Sequence, residues 1–294
     1  MWLNTKFRKL AYRYAPRIPF FDRKVHLMRF MHNAGGASPS TDLSFRDKLY
    51  RKVIGDELDD LLVRATTDRE TAKSFINGAV IKDIAIPSIA VLRSEEEIDT
   101  FDFPRDTAVR MTHGHVAPVI LSDMSEAPRA LFKEWLKRDY YHETRERNYK
   151  GLRPGILVEP YLRNGSSPLN IVASCYDGQV SLFHHLEYTD GARTRKRRYY
   201  TPDWSPLEFS IWDPVCAPVA KPKNLKNLIK DCAAISEPFE IVGIEAWIYP
   251  DGQYFITSIS HLPDGNGARI LPTSAQEEFN ARFFRFPPYD KAHD

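Results

Sequence analysis

The sequence predicts an α+β fold, and three features carry that reading. Residues 45–75 are patterned as two or three helices, two strand pairs are each turned by an Asp-Gly step, and a helical run over 224–235 separates those pairs. With 294 residues, 43% of them hydrophobic, the chain can bury a sizeable core in one large domain or in two or three interlocked lobes.

The first thirty residues are basic: Lys6, Arg8, Lys9, Arg13, Arg17, Arg23, Lys24 and Arg29 face only Asp22. Trp2, Leu3, Phe7, Leu10 and Tyr14 recur beside them at helical spacing. That pattern suits a helix lying on an anionic membrane surface, and equally a short helix docked on its own domain. Residues 33–42 have the Gly, Ser and Pro density of a loop, after which Thr41 or Asp42 can cap a helix. Asp68 or Thr67 is the expected cap for the helix containing Ala72, Phe75 and Ile76.

Short apolar segments over 86–92, 107–111 and 118–121, parted by turn residues, predict buried strands or hairpins. Residues 125–149 predict one helix with Leu131, Trp135 and Tyr141 inward, closed by Pro154 and Gly155. A strand over 156–162 follows, then the pair 170–176 and 179–188 around Asp177-Gly178, and the pair 239–249 and 253–259 around Asp251-Gly252. No period of twenty to fifty residues recurs, so solenoids and propellers are excluded.

A formal net charge of +2 argues against a nucleic-acid-binding surface, although the run Arg193, Arg195, Lys196, Arg197, Arg198 beside Tyr199 and Tyr200 has the residue types for one. No apolar run reaches the ~18 residues that span a bilayer, and no secretory leader is evident. Cys175, Cys216 and Cys232 are odd in number and lack metal-type or redox-type spacing. The expectation is a soluble cytoplasmic protein without disulfides, with the inner face of the membrane as an alternative location.

Several stretches resemble the TupA-like ATP-grasp family, together spanning about 45–284. The most specific is 135–161, WLKRDYYHETRERNYKGLRPGILVEPY, similar to that family's W-L-K-R-x-Y-Y, R-E-x-x-Y and E-x-Y-L pattern. KRRYYTPDW at 196–204 is similar to its K-R-N-F-Y-D-x-D-W segment, AKPKNL at 220–225 to its K-P-K-N-L helix start, and 68–75 to its D-K-Y-x-x-R-x-Y-V helix. The resemblance implies two α+β lobes around a nucleotide cleft, divided as a basic extension over 1–40, a helical subdomain over 41–106, a small lobe over 107–162 and a large lobe over 163–294. It also implies ATP and Mg²⁺ as cofactors.

Residue by residue, the resemblance places Glu159, Tyr161 and Leu162 at the adenine, and Arg110 where the family has its phosphate-binding lysine. His113 and Gly114 begin the phosphate loop. There the family's H-G-S-G-G becomes His113-Gly114-His115-Val116-Ala117, and two lost glycines thin the backbone cradle. His113 and His115 read as an ordinary turn more readily than as a metal pair. Glu245 stands at the family's magnesium-binding Asp and is the candidate catalytic metal ligand, while the second carboxylate is replaced by Ser258 and the family's hairpin lysine by Val172. Arg197 falls on the family's own Arg as a candidate catalytic cation, with Arg193, Arg195, Lys196 and Arg198 as candidate substrate-binding cations.

The resemblance implies an ATP-dependent carboxylate–amine ligase of bacterial surface-polymer biosynthesis, taking a surface-polymer, sugar or amino-acid precursor. No Ser/His/Asp or Cys nucleophile stands out, and that chemistry requires none. Ser258, Val172 and the Gly-poor loop favour two alternatives: a scaffold that kept the fold without turnover, or a cleft repurposed for glycosyl or phosphoryl transfer.

Overall fold

The computed structural model describes residues 14–34, 36–39, 44–161, 168–189, 194–263 and 270–284. Helix α1 (Pro19–Asn33) comes first, with Pro at its first turn, followed by α2 (Phe45–Ile54), which Ser44 caps through the Asp47 N–H. Two more helices, α3 (Leu61–Thr67) and α4 (Ala72–Val80), complete the N-terminal helical region. Asp68 accepts the N–H groups of Glu70 and Thr71, which fixes the turn between α3 and α4. Residues 1–13, with most of the basic amphipathic segment, lie outside the described residues.

Two antiparallel sheets follow. The smaller contains β1 (Ala90–Leu92), β2 (Thr107–Met111), β3 (Val119–Ile120) and β4 (Ile156–Pro160) in the order β1-β4-β2-β3. Helices α5 (Glu95–Thr100) and α6 (Arg129–Leu136) pack on it, and Val109, Met111, Phe132, Trp135, Ile156 and Val158 form its core. The sequence division at 106 is therefore displaced, because β1 pairs with β4 and the small lobe begins near Ala90.

The single helix anticipated over 125–149 is broken. It is α6, which ends at Leu136, then α7 (Tyr140–Thr144), which Asp139 caps through the His142 N–H.

The larger sheet contains β5 (Leu169–Tyr176), β6 (Gln179–Thr189), β7 (Thr194–Tyr200), β9 (Ile241–Ile248) and β10 (Tyr254–Ser260) in the order β10-β9-β5-β6-β7. Asp177 and Gly178 both adopt positive φ, 44° and 73°, the geometry whose twist suits a two-residue hairpin turn. Helix α8 (Leu225–Ser236) lies between the two hairpins, as the sequence implies. A short pair, β8 (Ser210–Ile211) with β11 (Ile270–Leu271), and helix α9 (Gln276–Phe284) complete the lobe. Phe45, Phe279 and Phe283 stack where α2 meets α9, ring centroids 4.4–5.8 Å apart.

One stretch of chain ties the sheets together. Residues 84–86 run along β10, with Ile86 N donating to Ile256 O at 2.9 Å and Ile256 N to Ile84 O at 2.7 Å. Three residues later Ile89 N donates to Val158 O at 2.8 Å and the same chain enters β1. Ile86, Ala108, Tyr161, Trp247 and Tyr249 bury an apolar seam between the lobes. No helix among the described residues is long and apolar enough to cross a membrane.

Helix α1 is held by a buried ion pair. Arg145 Nη1 donates to Asp22 Oδ1 at 3.0 Å, Tyr141 Oη donates to Asp22 Oδ2 at 2.7 Å, and Arg145 is fully enclosed. Removing one member of such a pair strands the other charge. Arg145→Met should therefore lower stability by about 3–5 kcal/mol in urea unfolding, whereas a loss under about 1 kcal/mol, the size of an exposed pair, would show that α1 is not anchored there.

Candidate functional site

Three charged residues of the sequence reading, Arg110, Glu159 and Glu245, meet at the seam. Arg110, in the middle of β2, points from the small lobe toward the large sheet and is almost wholly buried. Its Nε lies 3.5 Å from Glu159 Oε2 on β4, its Nη1 lies 3.6 Å from Glu245 Oε2 on β9, and its guanidinium stacks 4.6 Å from the Trp247 ring centroid. These are ion-pair contacts longer than hydrogen bonds. Nη2 is buried and has no hydrogen-bond partner among the described residues.

Two further cations, which the sequence reading missed, complete the cluster. Lys73 on α4 places Nζ 2.6 Å from Glu159 Oε1. Arg69, in the turn before α4, donates to the carbonyls of Met111 and Gly114, and its Nη2 lies 3.1 Å from His115 Nδ1. Both fall in the stretch 68–75, which the sequence reading singles out. Arg69, Lys73 and Arg110 stand against Glu159 and Glu245, with the buried Asp68 also beside Arg69.

Glu245 is the most strongly held acid. Asn170 Nδ2 donates to Oε1 at 3.0 Å and Ser258 Oγ to Oε2 at 2.8 Å. Burial alone would raise its pKa, but Arg110, then His115, the Ser258 hydroxyl and Arg69 outweigh it and bring the carboxyl down to about 2. Burial, with Arg110 beside it, pushes the Arg69 guanidinium down, and burial also lowers Lys73 against the pull of Glu159.

Other candidates occupy different places from those the sequence suggested. Glu159 does not offer its carboxylate to an adenine amine: it is fully enclosed and committed to Lys73 and Arg110. Tyr161 packs its ring edge-on against Trp247, centroids 5.0 Å apart, within the apolar seam. Leu162 and Arg193 lie outside the described residues, as does the side chain of Arg195.

His113 is a strut of the loop. Its Nδ1 accepts the Gly155 N–H at 3.2 Å, which leaves Nε2–H to donate to Arg138 O at 3.2 Å, and burial lowers its pKa. With both nitrogens engaged by backbone, it is not a metal ligand. Gly114 is pressed on Tyr140, where an added Cβ would come within 3.1 Å of the ring and 2.8 Å of Met111 Cε.

Among the described residues, the cationic run does not form one patch. Strand β7 alternates its side chains, so Arg197 and Arg198 point to opposite faces. Arg197 pairs with Asp213 at 3.2 Å, and Arg198 with Glu208 at 2.7 Å and with Cys216 O at 2.6 Å. Lys196 stands opposite Glu187 across the ladder.

The sequence pattern of the family described as TupA-like ATPgrasp matches residues 49–270. The chain belongs to the TupA-like ATP-grasp family. It has that family's α+β fold, with helices and two antiparallel sheets. No curated protein matches it. Among solved structures it is similar to a D-alanine–D-alanine ligase from Bacillus anthracis, at 14% identity over 75% of this chain and 66% of that one, TM-score 0.42. It is also similar to an L-amino acid ligase from Bacillus licheniformis, at 11% identity over 94% of this chain and 57% of that one, TM-score 0.42. A third is the ATP-grasp ligase PsnB complexed with a minimal precursor, at 10% identity over 67% and 53%, TM-score 0.36. The chain spans between half and two thirds of the length of these solved chains.

Three of the positions that the resemblance marks as altered, Ser258, Glu245 and Val172, fall in a single cross-strand row. Ser258 on β10 opposes Glu245 on β9, which opposes Val172 on β5, and His184 and Tyr199 continue the row across β6 and β7. The row thus keeps one carboxylate, directly below Arg110. The oxygens available to a hard cation are those of Glu245 and Ser258, with Asn170 Oδ1 next to them, buried and without a hydrogen-bond partner among the described residues. Oxygen donors with a single carboxylate suit Mg²⁺ that is held chiefly by phosphate and water.

The depressed Glu245 carboxyl makes a pH prediction. Its contribution to stability is complete above the ordinary carboxylate value of 4.5 and is lost as pH falls toward about 2. Glu245→Gln should flatten the acid limb of the stability curve over that range, the difference reaching up to about 3 kcal/mol. Parallel acid limbs for both proteins in urea titrations would refute the assignment.

Proposed function

We propose that this chain binds ATP between its two lobes and acts as a carboxylate–amine ligase. The observation that carries this is the buried Arg110 at the seam, held only by loose ion pairs to one acid of each lobe and with a guanidinium nitrogen that has no hydrogen-bond partner among the described residues. A buried, under-coordinated guanidinium is a costly arrangement for a folded protein and suits an oxyanion that replaces the loose 3.6 Å contact with short charge-assisted bonds. Arg69 lies behind the 112–115 loop and adds to the same potential.

In the proposed chemistry a substrate carboxylate takes the γ-phosphoryl group of ATP, and an amine then attacks the acyl carbon, forming the amide and releasing phosphate. Mg²⁺, when bound, supplies charge neutralisation at the phosphates. This chain's own part is to position and to stabilise charge: Arg110 at the phosphates, Glu245 as the carboxylate facing them, and Ser258 and Asn170 orienting Glu245. Family membership supports an acceptor belonging to a bacterial surface polymer or its sugar or amino-acid precursor. Peripheral contact with an anionic membrane is supported by Tyr14, Ile18 and Phe20, exposed beside the basic residues Arg23 and Lys24.

A second reading, nucleotide binding without turnover, is favoured by the row that keeps one carboxylate where Ser258 and Val172 stand beside Glu245. Thermal melting with a non-hydrolysable ATP analogue separates the two. The ligase reading expects a rise in Tm that grows with Mg²⁺ and falls back in Glu245→Gln, since a ligand of the folded state stabilises by mass action. A rise indifferent to both Mg²⁺ and Glu245 would favour binding alone, and no rise at all would overturn both.

A further inference from the structure

Away from the cleft, His185 and Glu187 stand two residues apart on β6 and so project from the same face of that strand. Cys216 reaches them from the segment after β8, and the ligand atoms of the three side chains lie within 4.8 Å of one another. The approach is built by backbone pairing. Residues 214–216 run beside β7, with Arg197 N donating to Pro214 O at 2.9 Å and Cys216 N to Arg197 O at 3.3 Å. Arg198 Nε then holds the Cys216 carbonyl at 2.6 Å.

The imidazole is already oriented. His185 Nδ1 lies 3.0 Å from the Asn170 carbonyl, which can only accept, so Nδ1 carries the proton and Nε2 keeps its lone pair. Burial lowers the His185 pKa and favours the neutral ring. A ring whose far N–H is fixed on a carbonyl is how proteins present histidine to a metal. Cys216 is 3% exposed and is not in a disulfide.

We propose that His185, Glu187 and Cys216 form a binding site for a zinc-type divalent cation, separate from the nucleotide cleft. Imidazole, carboxylate and thiolate together suit a borderline-soft ion better than Mg²⁺, which prefers oxygen alone. Donor atoms around tetrahedral zinc stand about 3.5 Å apart, so the observed span closes by side-chain rotation of about 1 Å. As the sulfur–metal bond forms, the thiol proton passes to solvent. The thiolate and the Glu187 carboxylate then balance the charge of the ion, and the fourth position is open to water. That balance matters because Lys196 and Arg198 face the site from β7, opposite Glu187 and His185. Arg198 is occupied by Glu208 and the Cys216 carbonyl. An ion here would clip β6 to the 214–216 segment across β7, bracing the strand that carries Arg197.

The sequence offered no metal spacing for its cysteines, because the ligands come from two segments thirty residues apart that only sheet formation brings together. The test is titration of the chelator-stripped full chain with Co²⁺ alone, followed by electronic absorption. The proposal expects cobalt–thiolate charge-transfer absorption, lost in Cys216→Ser, and binding weakened at least about tenfold in Glu187→Gln, no less than the loss of a supporting partner costs. The signal should persist in Glu245→Gln, which separates it from any ion in the cleft. Absence of the band in the wild-type chain overturns the proposal, and that arm does not depend on whether a variant folds. A band that survives in Cys216→Ser overturns it as well, because the thiolate would then have to come from elsewhere.

Discussion

The structure depends on how charge is buried at the seam between the lobes. Arg110 reaches from the small sheet toward the large one, and its counter-charges come from its own lobe, as Glu159, and from the other lobe, as Glu245. Taking these groups out of water costs several kcal/mol each, and loose ion pairs recover only part of that. Trp247 offers its ring to the guanidinium, Lys73 satisfies one oxygen of Glu159, and Asn170 and Ser258 satisfy Glu245. The apolar seam of Ile86, Ala108, Tyr161, Trp247 and Tyr249 shields the whole arrangement. What remains is a buried guanidinium held only by loose ion pairs, and that is the physical basis for proposing a polyanion at the seam.

Much of the scaffold was legible in the sequence because it rests on local chemistry. The Asp177-Gly178 turn needs positive φ at both residues and announces itself. The helix over 72–80 and the stretch over 86–92 follow from periodicity, although only coordinates show that the latter begins against the large sheet and ends in the small one. The family stretches over 135–161 and 196–204 contain α7 with β4 and the end of β7. They did not reveal that the helix expected over 125–149 is two, the second capped by Asp139, since a cap competes with continuation on energies that sequence patterns do not resolve.

The site was less legible, for a geometric reason. Composition made 193–198 look like a single cationic surface, but strand alternation sends Arg197 and Arg198 apart, and each meets an acid. Glu159 looked like a strand-end carboxylate open to a nucleotide base, but Lys73 arrives from a helix 86 residues away and claims it. Conversely, the altered positions Ser258, Glu245 and Val172 looked scattered in the chain and prove to be neighbours in one row of the sheet. These positions are thus concentrated at a single place, opposite Arg110, which bridges the lobes.

The central claim is that Arg110 and Glu245 act as each other's counter-ion only until a polyanion takes the arginine. A double-mutant cycle on stability, Arg110→Met with Glu245→Gln, measures that contact with and without a saturating ATP analogue. The account predicts a coupling of about 0.5–3 kcal/mol in the free protein that shrinks toward zero once nucleotide is bound. A coupling that is absent in the free protein, or that nucleotide leaves unchanged, would contradict it.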